Sequence, residues 1–546
     1  MMTDEQAACS TREASEGGER TLGAAGASRV YVGADRDQLF LLALSMRDWL
    51  DEGHLAWFVI DVVSELDTSA LHRRPGGAPG RPPYDPQMMC ALLLYSYCCG
   101  IRSSRQIEAS CRTDAAFRVI CGGHVPDHAT IARFVVDHER ALEGLFTSGL
   151  RLCAAAGIVD LSLVALDGTK MAANAALDRN RDGAWIRREV AELIAATAAD
   201  GGGGGAEQAA LAGLGGQAAG ELAGHRGRLA RLRAALLVVR AQEQAEAQAA
   251  KAAAKAADEA AREGRKLNGR KPKDPAKALA RAQADHKVAE ARSHAKAAKH
   301  AARQAAAHAA GRKLGGWVPG PDRDLQRASD ALAVAQKAAE QAPAPARAQA
   351  NITDADSRIM KTAKGWLQGY NAQAIADTGG IVLACDVSQD ANDVLLYQPM
   401  MALLADELAA AGIDAAAVLR ALADAGYWSE ANATAEGPDR LIATQKDHKQ
   451  RAAARELGQT TGEPPQDATI TEAMEHRLRS AEGAAAYAQR GCTIEPIFGD
   501  IKTNRAMPGF RRRGLPAAHS EWSFINLAGN LLKLHRHRAT TAIAAA

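Results

Sequence analysis

Apolar residues recur at three- and four-residue spacing from Asp35 to about Gly157, in segments such as DRDQLFLLALSMRDWL and DPQMMCALLLYSYCCG. That spacing predicts helices that each bury one face. The stretch GRPPYDP reads as a turn, with Pro86 in the first turn of the helix that follows. Two more helices are predicted over SSRQIEASCRTDAAFRVI and PDHATIARFVVDHERALEGLF, the second capped by Asp127, with Thr130 and Arg133 near its start. Polar and basic residues in the first turns of a second short helix suit a helix-turn-helix reader, although an ordinary helical bundle carries the same pattern.

The period changes at residues 158–174. Leu161 to Leu166 form a β-prone run that stops at Asp167-Gly168, which predicts a buried strand ending in a loop with a carboxylate at its tip. The strand pattern returns after Asn351. GYNAQAIAD and IVLACDVSQ flank Thr378-Gly379-Gly380, a hairpin. A loop then leads into a helix over DANDVLLYQPMMALLADELAAAG, RALADAGYW ends in a second exposed acid at Asp424, and DRLIATQKD is another short strand. From Glu472 the chain reads as helical, interrupted by the basic, glycine-rich segment Gly509–Gly514.

Residues 180–350 fit neither pattern. They are rich in Ala, Lys, Arg, Gln and Glu and are broken at Gly201–Gly205 and Asn268-Gly269. Alanine and straight-chain residues predict long helices over 218–263 and 275–311, without the sustained apolar seam of a strong coiled coil. The expectation is a helical arm projecting from the main body, with low-complexity filler as the competing reading.

A length of 546 residues allows two or three folding units. The net charge of +2 conceals a basic block from His225 to Lys313, where about 22 Lys/Arg stand against about 8 Asp/Glu. A second basic cluster runs from Lys502 through Arg511, Arg512 and Arg513 to Arg538. Such local polarity suits a polyanionic partner, and solvated helix faces are the plainer explanation. Nine cysteines without a C-x-x-C pair argue against a zinc site or disulfide framework and fit a reducing compartment. The N-terminus lacks a secretory pattern, and the apolar run Met88–Cys99 is too short to span a bilayer, so no membrane association is expected.

Three segments offer a carboxylate at the end or start of an element: VALDGTK around Asp167, LADAGYW around Asp424 and IEPIFGDIK around Glu495. Phosphodiester cleavage assisted by two divalent metals needs such groups, because hard Mg2+ or Mn2+ is held by a few carboxylates, waters and the substrate phosphate. Pro496 suits a first-turn position, which would put Glu495 at a helix entrance where the dipole favours its charge. Each acid alone is an ordinary turn or helix-start residue. The C-terminal pattern Tyr487-x2-Arg490-x4-Glu495-x6-Lys502 adds weight. Lys502 is about two helical turns beyond Glu495 and hence on its face, and Arg490 can grip a phosphate. Asp386, Asp393 and Asp500 lie near these motifs as competing acids, Trp428 is a candidate for base stacking or for the core, and His535-Arg536-His537 reads as a solvated helix end.

The combination resembles the DDE transposases of bacterial insertion sequences in the subgroup with a Tyr-Arg-Glu-Lys signature, and more narrowly the insertion-sequence family numbered eleven-eighty-two. GRPPYDPQMMCALLLYSYCCGIRSSRQIE and PDHATIARF resemble its InsH-type helical N-terminal domain. LDGTKMAANA, DSRIMKTAKGWLQGYNAQ, LADAGYWSEAN, EPIFGDIK and GFRRRGL followed by EWSFINLAGNLLKL resemble its catalytic domain. The resemblance implies an α/β catalytic domain of RNase H-like type, with mixed sheet and flanking helices, after an all-α N-terminal domain. On that basis residues 1–28 form a disordered N-terminus, 29–157 the helical DNA-binding domain, 158–179 and 351–546 the catalytic domain, and 180–350 a basic helical insertion.

The resemblance further implies metal-dependent strand cleavage at insertion-sequence ends and strand transfer into target DNA. Asp167, Asp424 and Glu495 would hold two Mg2+ or Mn2+ ions, and Tyr487, Arg490, Lys502, Arg511, Arg512, Arg513 and Arg133 would contact DNA. The implied partners are double-stranded DNA, in the form of terminal inverted repeats and target, and a second copy of the chain in a homodimer. No small-molecule cofactor is implied, and the implied location is cytoplasmic and nucleoid-associated. The gap of four residues between Arg490 and Glu495 departs from the superfamily's usual three and bears on Arg490. A non-catalytic DNA-binding relative, or an RNase H-like nuclease without strand transfer, would carry many of the same features.

Overall fold

The computed structural model describes residues 45–72, 83–199, 225–267, 274–311, 322–341 and 348–545. The chain divides by packing at Ser45 and Met46, and every element below belongs to the second unit. The expected disordered segment 1–28 and the breaks at Gly201–Gly205 and Asn268-Gly269 lie outside the described residues.

Helices α1 (Leu55–Glu65) and α2 (Pro86–Cys98) open the fold. Asp85 caps α2 by accepting the Gln87 N–H, and Pro86 stands in the first turn as its fixed φ favours. α2 is buried continuously from Met89 to Cys98, as expected of a helix surrounded by other elements. The two long helices predicted next are in fact four: α3 (Ser104–Thr113), α4 (Ala115–Ile120), α5 (His128–Asp137) and α6 (Glu139–Ala155). The first break falls at Asp114, whose carboxylate takes the N–H groups of Ala116 and Phe117 and so restarts the helix as a cap. The second falls at His138. Asp127 caps α5 as expected, accepting from the Thr130 N–H at 2.9 Å.

Strands β1 (Val164–Ala172), β2 (Asn180–Asp182), β3 (Gln349–Asn351), β4 (Arg358–Thr362), β5 (Gly365–Asp377), β6 (Val382–Ser388), β7 (Arg420–Ala423) and β8 (Asp439–Ile442) follow. Six of them form one mixed sheet. β5 lies between β4 and β6 on one side and β1 on the other, all antiparallel, and β1, β7 and β8 continue the sheet in parallel. The β5–β6 hairpin turns at Thr378-Gly379-Gly380, with Gly380 at φ 76°, a conformation that glycine adopts without steric cost.

The expected stop of β1 at Asp167-Gly168 is not observed. The strand runs on to Ala172, because β5 pairs with it along its whole length, from Val164↔Asp377 to Ala172↔Gly369. A glycine within a strand weakens it, and at Gly168 it marks the close approach of the Gln373 side chain.

Between β2 and β3 lie α7 (Gly183–Ala199), α8 (His225–Glu263), α9 (Pro275–Ala309) and α10 (Arg323–Gln341). The two long helices expected here are present, and α10 adds a third element packed on α9. α7 and α8 share a small core of their own, including Ile186, Val190, Leu193, Leu232, Leu236 and Val239, and the β2–β3 pair closes its base. Further out the packing thins. Val288 is the buried hydrophobic of α9, and α10 has none. These helices therefore depend on alanine's helix propensity and on surface ion pairs such as Lys296–Asp322.

The remaining helices are α11 (Tyr397–Ala410), α12 (Glu430–Ala433), α13 (Asp447–Leu457), α14 (Ile470–Arg479), α15 (Ala481–Gly499) and α16 (Leu515–Ala545). α16 packs against α2, α6 and β6, so one hydrophobic core runs from the first helices through the sheet to the C-terminal helix. The fully buried Trp522 of α16 donates its indole N–H to the Gln373 carbonyl at 2.8 Å, anchoring the helix to β5. His535 also departs from the solvated-end expectation: its ring packs 5.0 Å from Phe58. Among the described residues no helix is long and apolar enough to cross a membrane.

Candidate active site

The parallel pairing of β1 with β7 runs from Val164↔Ala421 to Leu166↔Ala423. The next residues are Asp167, in the middle of β1, and Asp424, just past the end of β7, so the two carboxylates stand side by side where the β1–β7 pairing stops. Burial, then the charge of Asp424, pushes Asp167 up to about 6 against the opposing pull of Arg490. Burial also raises Asp424, opposed by the Gly426 N–H and Arg490 and reinforced by the charges of Asp393 and Asp447. Two acids held this way favour any cation that can neutralise them.

Glu495 is not at a helix entrance. α15 starts at Ala481, fourteen residues earlier, where Ser480 caps it by accepting the Gly483 N–H at 3.0 Å. Pro496 lies inside the helix, where its ring costs one hydrogen bond to the carbonyl four residues back. The dipole argument for Glu495 therefore does not apply. The expected two-turn alignment of Glu495 with Lys502 also fails, since the chain widens into a π-type turn over Asp500–Asn504. Lys502 instead lies along β1, donating to the Lys170 carbonyl at 2.9 Å and to the Thr169 hydroxyl. Burial and the neighbouring Lys170 lower its pKa.

Arg490 occupies the centre of the site. Its Nη1 is 3.0 Å from Asp167 Oδ2, and its Nη2 is 3.0 Å from Asp447 Oδ2 and 3.5 Å from Glu495 Oε1. Its guanidinium lies over the Tyr487 ring, whose hydroxyl donates to Asp447 at 3.1 Å. Arg490 is 6% exposed and Asp167 19%, whereas Glu495 is 63% exposed and meets the arginine from the solvent side. The expected gathering of the three acids is accordingly incomplete: among the described residues no three His, Cys, Asp or Glu side chains are close enough together to hold a metal ion. Coulomb attraction explains the arrangement, since one guanidinium lies within ion-pairing distance of three carboxylates.

The donor chemistry suits a hard cation. The candidate ligands are carboxylate oxygens, and the buried Asn371 Oδ1 on β5 has no hydrogen-bond partner. Asp393, one of the competing acids, is held near this site by the Asn371 amide at 2.6 Å, the Gln373 amide at 3.1 Å and Lys170 at 3.3 Å. The other two competitors are engaged elsewhere: Asp386 with His519 at 3.1 Å and Asp500 with Arg505 at 2.8 Å. Tyr427, buried beneath Asp424, donates to Gln373. Trp428 packs against the core.

Gly168 leaves room for this support. A Cβ there would come within 2.2 Å of the Gln373 amide nitrogen and 3.1 Å of Asn371 Oδ1. Gly168→Ala is expected to displace Gln373 and Asp393 and to destabilise the fold by about 1–3 kcal/mol, the usual range for overpacking. A urea melt that matches the wild type would rule this out.

The other candidate contacts are scattered. Arg511 and Arg513 are exposed at the 509–513 loop, with Arg513 Nε donating to the Asn174 carbonyl at 3.0 Å. Arg512 is ion-paired to Glu139 and so is not available to a phosphate as expected. Arg133 is exposed on α5, in the helical layer.

Asp447 was not anticipated. It stands five residues after β8, the third parallel strand, in the segment DRLIATQKD. The signal was the same as for Asp167 and Asp424, an acid shortly after a short apolar run.

Comparison with known families agrees with this geometry in part. Residues 44–137 match the transposase domain DUF772, and residues 442–535 match a transposase DDE domain. The second match spans Tyr487, Arg490, Glu495 and Lys502, while Asp167 and Asp424 fall outside both. The two matches support a transposase role, with DNA as the implied partner. No curated protein and no solved structure matches the chain.

Proposed function

We propose that this chain is a DNA transposase that cleaves strands at insertion-sequence ends and transfers them into target DNA, built on an RNase H-like catalytic domain. The observation that carries the reading is the placement of Asp167 and Asp424 side by side where the parallel pairing of β1 and β7 stops, with Arg490 and Glu495 against them on α15. The sheet supports it too, since the antiparallel run β6, β5 and β1, continued in parallel by β7 and β8, suits an RNase H-like core, with β4 added beside β5.

Asp167, Asp424 and Glu495 would hold Mg2+ or Mn2+. When two such ions are bound, they supply activation of the attacking oxygen and stabilisation of the leaving one. The protein's own contribution is positional. Arg490 balances the acids and retains Asp447 as an anchor when Asp167 and Glu495 turn to other partners. Lys502, fixed to β1, sets a positive charge beside the site, and Arg511, Arg513 and Arg133 extend a basic surface for phosphate contacts. A homodimer on paired insertion ends completes the proposal.

The test uses the purified chain, Mg2+ and labelled duplex bearing the inverted repeats that flank its gene, with a supercoiled plasmid as target. Nicked ends that become joined to the plasmid are expected. Nicking without joining would leave a nuclease, and binding without nicking would leave a DNA-binding relative.

A further inference from the structure

The second half of α9 carries one sign of charge. After Glu290 there is no Asp or Glu until Asp322, while Arg292, Lys296, Lys299 and Arg303 follow one another at spacings of four, three and four residues. At 100° per residue these four fall within about 60° of helix circumference, a single stripe rising about 16 Å along the axis. The residues between them are mostly alanine, with Ser293, His294 and His300 as the others, so the long basic side chains stand out from a thin shaft.

Lys296, Lys299 and Arg303 are exposed, and Arg292 is half-buried. Lys296 pairs with Asp322 at 3.1 Å. Among the described residues Arg292, Lys299 and Arg303 have no carboxylate within ion-pairing distance, in contrast to Lys287, which pairs with Asp258 nearer the start of the same helix. Three of the four stripe cations are thus uncompensated, on a helix with almost no buried apolar face of its own.

We propose that this stripe is a sequence-independent docking surface for the backbone of duplex DNA, distinct from the acid site. Along 16 Å of its axis a duplex carries about ten phosphate charges, ample to engage three or four cations. The helix supplies cations without aromatic platforms or an array of amide side chains that could read bases, so it contributes affinity and not sequence choice. The choice of DNA over another polyanion rests on the transposase reading; the charge geometry does not.

The experiment measures binding of the full chain to a random-sequence duplex of about 30 base pairs by fluorescence anisotropy across a salt series. The triple variant Arg292→Gln, Lys299→Gln, Arg303→Gln should flatten the slope of log K against log salt by about 2.7, or about 0.9 per lost phosphate contact. Arg292→Lys with Arg303→Lys should leave the slope unchanged, and circular dichroism should show helix content retained in both. If the triple variant unfolds, Arg303→Gln alone should flatten the slope by about 0.9. An unchanged slope overturns the proposal, as does a slope that falls with single-stranded RNA but not with duplex DNA. Cleavage is assayed separately, so loss of slope in a protein that does not nick DNA leaves this inference standing while removing the transposase reading.

Discussion

Asp167→Asn is expected to lower strand cleavage by more than about 100-fold while leaving affinity for duplex DNA close to wild type. Groups that merely support a metal ligand are worth about 10–100-fold, so loss of a direct ligand should exceed that range. The neutral amide keeps the size of the side chain and leaves the β1–β5 ladder intact, since that ladder uses backbone groups alone. Arg490 loses one partner but keeps Asp447 at 3.0 Å. Without divalent metal the variant should melt at the same temperature as wild type or higher, because one of two neighbouring buried charges has gone. Equal nicking by wild type and Asp167→Asn on labelled end DNA would remove Asp167 from the chemistry. Reduced nicking accompanied by a large drop in melting temperature would point to a damaged fold instead.

What could be read in the sequence were the features set by local pattern. The apolar runs before Asp167 and Asp424 are short and β-prone, and both lie in neighbouring parallel strands whose pairing brings the acids together. The hairpin at Thr378-Gly379-Gly380, the place of Pro86 in the first turn of α2 and the cap by Asp127 depend on residues within a few positions of each other. The expectations that failed depended on distant partners. β1 continues past Gly168 because β5, two hundred residues later, pairs with it. Pro496 suggested a helix start, but α15 had already been initiated at Ser480. The spacing from Glu495 to Lys502 implied a shared face only while the helix stayed regular, and the π-type turn ended that.

Arg490 illustrates the same limit in the site itself. Its four-residue gap to Glu495 suggested a weakened role, yet its side chain reaches Asp167, Asp447 and Glu495 at once. Two of those partners come from strands or helices elsewhere in the chain, so spacing along α15 alone could not disclose the contact. The basic cluster at Arg511–Arg513 divides for a similar reason. Arg512 is drawn to Glu139 on α6, a residue more than 370 positions away, and its neighbours stay exposed.

The largest expected effect on stability lies beneath that loop, at Glu521 on α16. Its side chain is 0% exposed and accepts from Arg102 Nη1 at 2.7 Å, with Arg102 only 4% exposed. The same carboxylate also accepts the backbone N–H groups of Arg511 at 2.9 Å and Arg512 at 3.1 Å. Arg102 in turn donates to the Gly509 carbonyl at 2.8 Å, and the Phe510 N–H donates to Ala172 at the end of β1. One buried acid therefore joins the helical layer, the C-terminal helix and the loop that covers the sheet. Glu521→Ala leaves a buried guanidinium uncompensated and two backbone donors without acceptors, which should cost about 3–5 kcal/mol. Glu521→Gln retains an acceptor oxygen and should cost less. In a double-mutant cycle with Arg102→Met, the second substitution should recover part of the loss, because it removes the stranded charge while the two N–H groups stay unpaired. Urea denaturation measures all four proteins. A loss below about 1 kcal/mol in Glu521→Ala, the size typical of an exposed pair, would show that water reaches this cluster and that the loop is held by other contacts.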